Sequence, residues 1–228
     1  MKSIVVIGAT QGTGRELAAE YARRGARVVI TGRSAERAEE VAAGIDGDVT
    51  GLALDLTRPA EIGDALKSVE SVDRVAVVGM VRDVNTLADY DVARAVELST
   101  TKVVGYTTVA AVLRERMTPD ASVLLFGGLA KDYPYPGSTT LTAVNAALVG
   151  VVRTLSVELA PVRVNSIHPG GIEDSPFWQD KPEALEFGRK QTLTGRLGTM
   201  RDIVDGCVFL LENPFATGIN LSLDGGRH

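Results

Sequence analysis

Shortages define this chain before its motifs do. One residue of 228 is cysteine, which excludes an internal disulfide and fits a reducing compartment. That residue, Cys207, lies in the apolar run GCVFLL and reads as a buried thiol. Long hydrophobic runs are missing too. The first run, SIVVIG, begins at residue 3 and is too short for a secretion signal or a membrane span, so a cytoplasmic protein without membrane attachment is expected. No basic run exceeds Arg23-Arg24 and the net charge is −5, which speaks against a nucleic-acid partner or an acidic lipid surface. Aromatic residues make up only 5%, so any place where they gather stands out. No metal site is expected.

What is present is the composition of a soluble globular domain, 45% hydrophobic and 23% charged, with a length that suits one large core. Seven short apolar runs alternate with helix-length stretches: SIVVI (3–7), ARVVIT (26–31), VTGLAL (49–54), RVAVVG (74–79), SVLLF (122–126), RVNSI (163–167) and INLSL (219–223). Most are apolar at consecutive positions, as parallel strands covered on both faces must be. The helical stretches are 13–24, where Leu17, Ala18, Tyr21 and Ala22 form one stripe, then 34–43 with Ser34 as N-cap, 59–68, 90–116, 140–159 and 201–211. The alternation predicts one domain over residues 1–228. Its fold class is α/β, a Rossmann-type doubly wound parallel sheet of seven strands with ligands at the carboxyl ends of the strands.

The first strand runs into GATQGTG, placing Gly8, Gly12 and Gly14 before the first helix. A chain that turns sharply and brings its backbone against a pyrophosphate needs residues without Cβ there. Thr10, Gln11 and Thr13 complete the loop, and the first N–H groups of the helix face the phosphates with the positive end of the helix dipole. The second strand ends ITGRS, with Gly32 where an acid would hold a ribose 2′-hydroxyl, and Arg33 next. A guanidinium in place of a carboxylate suits a 2′-phosphate, so NADP(H) is the expected cofactor, with Thr31 and Ser34 as added hydroxyl donors.

The segment GGIEDSPFWQDKPEALEFGRKQTLTGRLG, between the sixth and seventh strands, interrupts the alternation. It holds Phe177 beside the single tryptophan, Trp178, and Phe187 on a short helical pattern. A long loop with large apolar side chains reads as a lid over a small-molecule substrate.

With these residues in view, the chain resembles the short-chain dehydrogenase/reductase family over nearly its whole length. GATQGTG is similar to that family's cofactor loop, and Asp55 in LALDLT, with Leu56 beside it, to its adenine-contacting acid. RVNSIHPGGI resembles the strand and Pro-Gly turn next to the nicotinamide, here Pro169, Gly170, Gly171 and Ile172. GRLGTMRDIVDGCVFLL and TGINLSLDGG resemble its last helix and strand. The resemblance implies hydride transfer between NADP(H) and a carbonyl or alcohol, and a homodimer or homotetramer.

The same comparison shows departures, and they gather in the chemistry. The family's Tyr and Lys positions on the helix after strand five are Leu141 and Asn145, its Ser position is Gly128, and its Asn position falls on Glu97. The turn after strand four reads Val77-Val78-Gly79-Met80, leaving Val78 and Gly79 to border the cofactor. No tyrosine anywhere is followed four residues later by lysine. A lysine beside a tyrosine favours the phenolate and lets the hydroxyl carry protons near neutral pH. Leu141 does none of this, while Asn145 retains the ability to bind a ribose hydroxyl. Candidate substitutes are Tyr135, stiffened by Pro134 and Pro136, His168 ahead of the Pro-Gly turn, and Glu97. Losing an acid–base group costs about 10²–10⁴ in rate, whereas positioning is worth roughly 7–11 kcal/mol, so hydride transfer by another donor stays open beside a module that only binds NADP(H).

Overall fold

The computed structural model describes residues 1–81, 83–178 and 180–228. The seven apolar runs become β1 (Ser3–Ile7), β2 (Arg27–Gly32), β3 (Val49–Ala53), β4 (Val72–Val77), β5 (Met117–Phe126), β6 (Arg163–Pro169) and β7 (Asn220–Leu223). They pair in parallel throughout, in the order β3-β2-β1-β4-β5-β6-β7. The order reverses between β1 and β4, and that is where a doubly wound sheet opens a crevice for ligands.

The helices are α1 (Gly12–Arg23), α2 (Ala35–Ala43), α3 (Ile62–Ala65), α4 (Val92–Ser99), α5 (Tyr106–Leu113), α6 (Thr139–Glu158), α7 (Pro182–Lys190) and α8 (Met200–Glu212). Alternation along each strand divides the core. Val5 and Ile7 of β1 face a layer with Tyr106, Val109 and Leu113 of α5 and Leu148 and Val152 of α6. Ile4 and Val6 face Leu17 and Tyr21 of α1 and Ile203, Cys207 and Leu210 of α8. Cys207 is fully buried, as expected, and burial pushes its thiol pKa far up. At about 25 cal/mol per Å² of apolar surface, these two layers supply the main stabilising term. By length and composition α6 could cross a membrane, with a mean hydropathy of 1.5, but its Val144, Leu148, Val152 and Leu155 are packed on the sheet.

Three elements differ from the sequence expectation, and one is the helix expected over 59–68, which forms a 3-10 turn, Pro59–Glu61, and a single α turn, Ile62–Ala65. The single helix expected over 90–116 is broken by a π-helical segment, Thr100–Gly105, between α4 and α5. There a Cβ on Gly105 would lie 2.6 Å from the Leu56 carbonyl oxygen, so this wider turn approaches the loop after β3 at backbone contact. Strand β5 also begins five residues early, because Met117 pairs with Val72 across a register shift before Arg74.

The amino ends of the strands are closed by a charged lock. The Arg74 guanidinium grips both oxygens of Glu212 at 3.0 Å, Tyr21 donates its hydroxyl to Glu212 at 2.7 Å, and Lys2 adds an ion pair at 2.5 Å. Burial raises the Glu212 carboxyl pKa, but these hydrogen bonds outweigh it and hold the group at about 2. Arg163 donates to the Leu210 and Leu211 carbonyls at 3.0 and 2.6 Å, capping the last turn of α8. With that end locked, the carboxyl ends of the strands are left for chemistry.

Candidate functional site

The glycine loop is shaped by backbone-to-backbone contact. Gly8 has φ +83°, and a Cβ there would sit 2.3 Å from the Gly79 Cα, so the loops after β1 and β4 meet with nothing between them. A Cβ on Gly14 would lie 2.5 Å from the Gly8 carbonyl oxygen, which holds α1 against the strand end. Val78 and Gly79 both donate their N–H to the Ile7 carbonyl at 2.9 Å, fixing this second wall. Gln11 extends into α1 without a side-chain cap, and no acid lies in the first turn, so the amide groups at Thr13 and its neighbours remain open to an anion. These residues fit a dinucleotide pyrophosphate.

At the end of the second strand the expected cofactor residues are differently placed, and one of them is buried. A Cβ on Gly32 would meet the Thr10 methyl at 2.4 Å, so Thr10 fills the space an acid would need. Arg33 is exposed and forms no ion pair among the described residues. Ser34 is exposed and caps α2 by accepting from the Arg37 N–H at 3.3 Å, leaving its own proton to donate. Thr31 is different. It is fully buried and accepts from the Gly8 N–H at 3.2 Å, so it braces the glycine loop and does not reach a ligand. Asp55 accepts from the Thr57 amide at 2.9 Å and hydroxyl at 2.8 Å through one oxygen, leaving the other free. Arg33, Leu54, Asp55, Arg58, Glu61 and Ile62 are among the residues lining a cleft of about 500 Å³ at this end of the sheet. Leu56 turns inward and packs beside Gly79 and Gly105.

At the other end of the crevice, Gly128 and Asn145 lie against each other. A Cβ on Gly128 would stand 3.0 Å from the Asn145 amide nitrogen. Asn145 is 1% exposed and its Oδ1 has no hydrogen-bond partner, an orphaned buried acceptor suited to a ribose hydroxyl. Leu141 lies one turn earlier on α6 and is half-buried. Pro169 ends β6 and Gly170 follows it, with the Gly170 N–H bound to the Leu223 carbonyl at 2.8 Å.

The three candidate proton carriers do not converge. His168 is fully buried, accepts from the Gly128 N–H at 3.2 Å through Nδ1, and meets the Ser166 hydroxyl at 2.9 Å through Nε2. Burial, with Lys131 and Lys102 nearby, drops its pKa to about 4, so it is a neutral brace for the turn after β5 and not an acid at neutral pH. Glu97 is exposed on α4. Tyr135 is 49% exposed, and its hydroxyl has no partner among the described residues. Its loop is stiff, with Ser138 bound to the Tyr135 amide and carbonyl at 3.0 and 2.9 Å, but the phenol is not aimed. Tyr133, by contrast, is tied to the Arg227 carbonyl at 2.6 Å.

One buried group escaped the sequence reading. Lys102, in the π segment, is 1% exposed and donates to the carbonyl of Phe126, the last residue of β5. Its signal was hidden because a charged residue amid TTKVVG reads as the solvent face of a helix.

The segment expected to form a lid is a closed excursion with a fastened base. Ile172 bridges to Gly198, and the Glu173 and Gly198 amides donate across that junction at 2.9 and 3.0 Å. Asp174 accepts from the Met200 amide at 2.7 Å, and Thr199 with Asp202 forms a capping box for α8. Within it, Phe177 and Trp178 pack edge to face at 4.8 Å, with the Lys181 ammonium 3.2 Å over the Phe177 ring. Phe187 is on α7 and 63% exposed. A Cβ on Gly12 would lie 3.9 Å from the Pro176 ring, so the segment leading to Phe177 borders the glycine loop.

Comparison with known proteins agrees with this geometry. Residues 8–228 match the family described as Enoyl-(Acyl carrier protein) reductase. A 3-oxoacyl-[acyl-carrier-protein] reductase of Bos taurus is 30% identical over 99% of this chain and 97% of its own length. Carbonyl reductase family member 4 of Danio rerio is 27% identical, covering 97% and 96%. Among solved structures, a short chain dehydrogenase/reductase family protein superposes with a TM-score of 0.89 at 29% identity, covering 99% of this chain and 96% of that one. The glycine loop, the strand order and these relatives place the chain in the short-chain dehydrogenase/reductase family of oxidoreductases.

Proposed function

We propose that the chain is an NADP(H)-dependent reductase of small carbonyl compounds, with 3-oxoacyl thioesters the first class to test. The observation that carries this reading is the fastened lid, whose Pro176 borders Gly12 of an intact cofactor cradle. A lid at that place has use only if a second molecule is enclosed with the cofactor. Gly8, Gly12, Gly14 and Gly79 would receive the pyrophosphate, Arg33 and Ser34 the 2′-phosphate, Asp55 the adenine and Asn145 the nicotinamide ribose. When bound, the reduced cofactor supplies a hydride with its electron pair to the carbonyl carbon, and the oxygen then needs one proton. Phe177 and Trp178 offer an apolar surface that excludes water from the substrate. Val92, Val96 and Val104 stay 65%, 58% and 49% exposed on α4 and the π segment, which supports self-association as part of the same proposal.

A second reading has its own observation. Leu141 offers no exchangeable proton one turn from Asn145, as in a module that binds NADP(H) without turnover. Absorbance of NADPH at its reduced-form band, followed over a panel of 3-oxoacyl thioesters, ketones and aldehydes, separates the two. Consumption supports the reductase. Tight NADPH binding by fluorescence with no consumption across the panel assigns the second reading.

A further inference from the structure

The π segment turns Thr101, Lys102 and Gly105 inward, and π-type turns within helices are frequent at functional sites. Lys102 is the only buried lysine among the described residues. Its ammonium donates to the Phe126 carbonyl at the carboxyl end of β5 and lies 5.1 Å from the centroid of the Tyr106 ring. The Tyr106 hydroxyl donates to the Gly79 carbonyl at 3.0 Å, and Gly79 is the residue that meets Gly8. One continuous set of contacts therefore runs from the cofactor cradle to this ammonium.

Among the described residues the charge has no counter-ion. The titratable groups near it are Tyr106, at the start of α5, and His168 from β6, which also feels Lys131, itself paired with Asp132. Asp83, in the loop after β4, forms no ion pair with it. Burial alone brings the ammonium down to about 7. A buried cation without a carboxylate is costly, and a purely structural role would be served as well by an apolar side chain. The π segment packs on α6, which carries Asn145 with its orphaned Oδ1.

We propose that Lys102 is the positioning residue that holds the proton for carbonyl reduction in this chain, the π segment doing what an α6 lysine does in the family pattern. This rests on the reductase reading above. Lys102 does not touch the substrate; a hydroxyl or water bound to Asn145 Oδ1 completes the path. One proton leaves Nζ and reaches, through that hydroxyl or water, the oxygen made negative by hydride addition, the electron pair coming from NADPH, and Nζ is reprotonated along the same path once the product has left.

Two measurements test it. In protein labelled at the lysine side chains, the Lys102 signal, identified by its loss in Lys102→Met, should titrate near neutrality. NADP⁺ should lower its midpoint, because a positive ring nearby opposes the ammonium. In the rate assay, wild-type reduction should fall as pH rises through neutrality. Lys102→Met should lose that dependence and about 10²-fold in rate at low pH, with NADPH affinity kept. Lys102→Arg keeps the charge but releases no proton near neutral pH, and should not restore the rate. A Lys102 midpoint indifferent to NADP⁺, with an unchanged pH profile in Lys102→Met, overturns this inference alone. Failure of the wild type to consume NADPH across the panel overturns it together with the reductase reading.

Discussion

Replacing Arg33 by alanine tests the cofactor assignment most directly. Arg33 is exposed and unpaired, so its loss leaves the fold intact and any change in binding reports on the ligand. A charge-assisted contact to phosphate is worth about 1.5–3 kcal/mol. The NADPH dissociation constant should therefore rise roughly 10–150-fold while that for NADH stays level. Because the site faces solvent, added salt should shrink the difference, with a screening length of about 10 Å at 0.1 M. The structure adds a second arm. Gly32→Asp alone should weaken both cofactors, since its Cβ would fall 2.4 Å from the Thr10 methyl and displace the loop. Adding Thr10→Ser and Arg33→Ala removes that methyl and the guanidinium, and the triple variant should prefer NADH. Fluorescence titration with both cofactors reads all of this. Equal losses of NADPH and NADH binding in Arg33→Ala, or no loss at all, would refute the reasoning.

Further outcomes follow from other parts of the molecule. Glu212→Gln leaves the buried Arg74 without its anion, and thermal or urea unfolding should show a loss of about 3–5 kcal/mol. His168 has its folded pKa depressed from 6.5 to about 4, so the stability it contributes is complete above pH 6.5 and is lost as pH falls toward 4. Melting curves across that window should show the loss, about 3 kcal/mol at most, and His168→Gln should flatten it. Glu212, held at about 2 against 4.5 unfolded, adds a second loss that begins only below pH 4.5. Asn145→Ala removes the orphaned acceptor and should weaken NADPH binding by about one neutral hydrogen bond, roughly 2–10-fold.

The cofactor half of the site was legible in the sequence because its determinants are local. Gly8, Gly12 and Gly14 lie within seven residues of one another, and the backbone they permit is decided by the absence of Cβ. The seven strands were legible for the same reason, each being a short apolar run covered on both faces. Thr31 was misread because a hydroxyl at a strand end looks the same whether it points outward or braces a neighbouring amide. Glu97 was placed by spacing along the chain, which does not register the π segment that follows it. The π segment widens the turn and brings Lys102 to the inside, and the sequence TTKVVG carries no proline to announce it.

Gly128 and Asn145 are better understood as one feature than as two separate replacements. The Asn145 amide occupies the side where a Gly128 side chain would grow, at 3.0 Å, so a serine restored there must push the amide aside. A lysine restored at 145 would add a second cation on an element packed against the π segment that carries the buried Lys102, and like charges repel more strongly when buried. The arrangement is thus self-consistent: one buried cation, one amide that fills the space beside a glycine, and one neutral histidine bracing the same glycine through its amide. Each piece makes the family's usual residue at the next position unfavourable. On the proposal that Lys102 holds the proton, these side chains would change together, while the glycine loop, built on backbone contacts, depends on none of them.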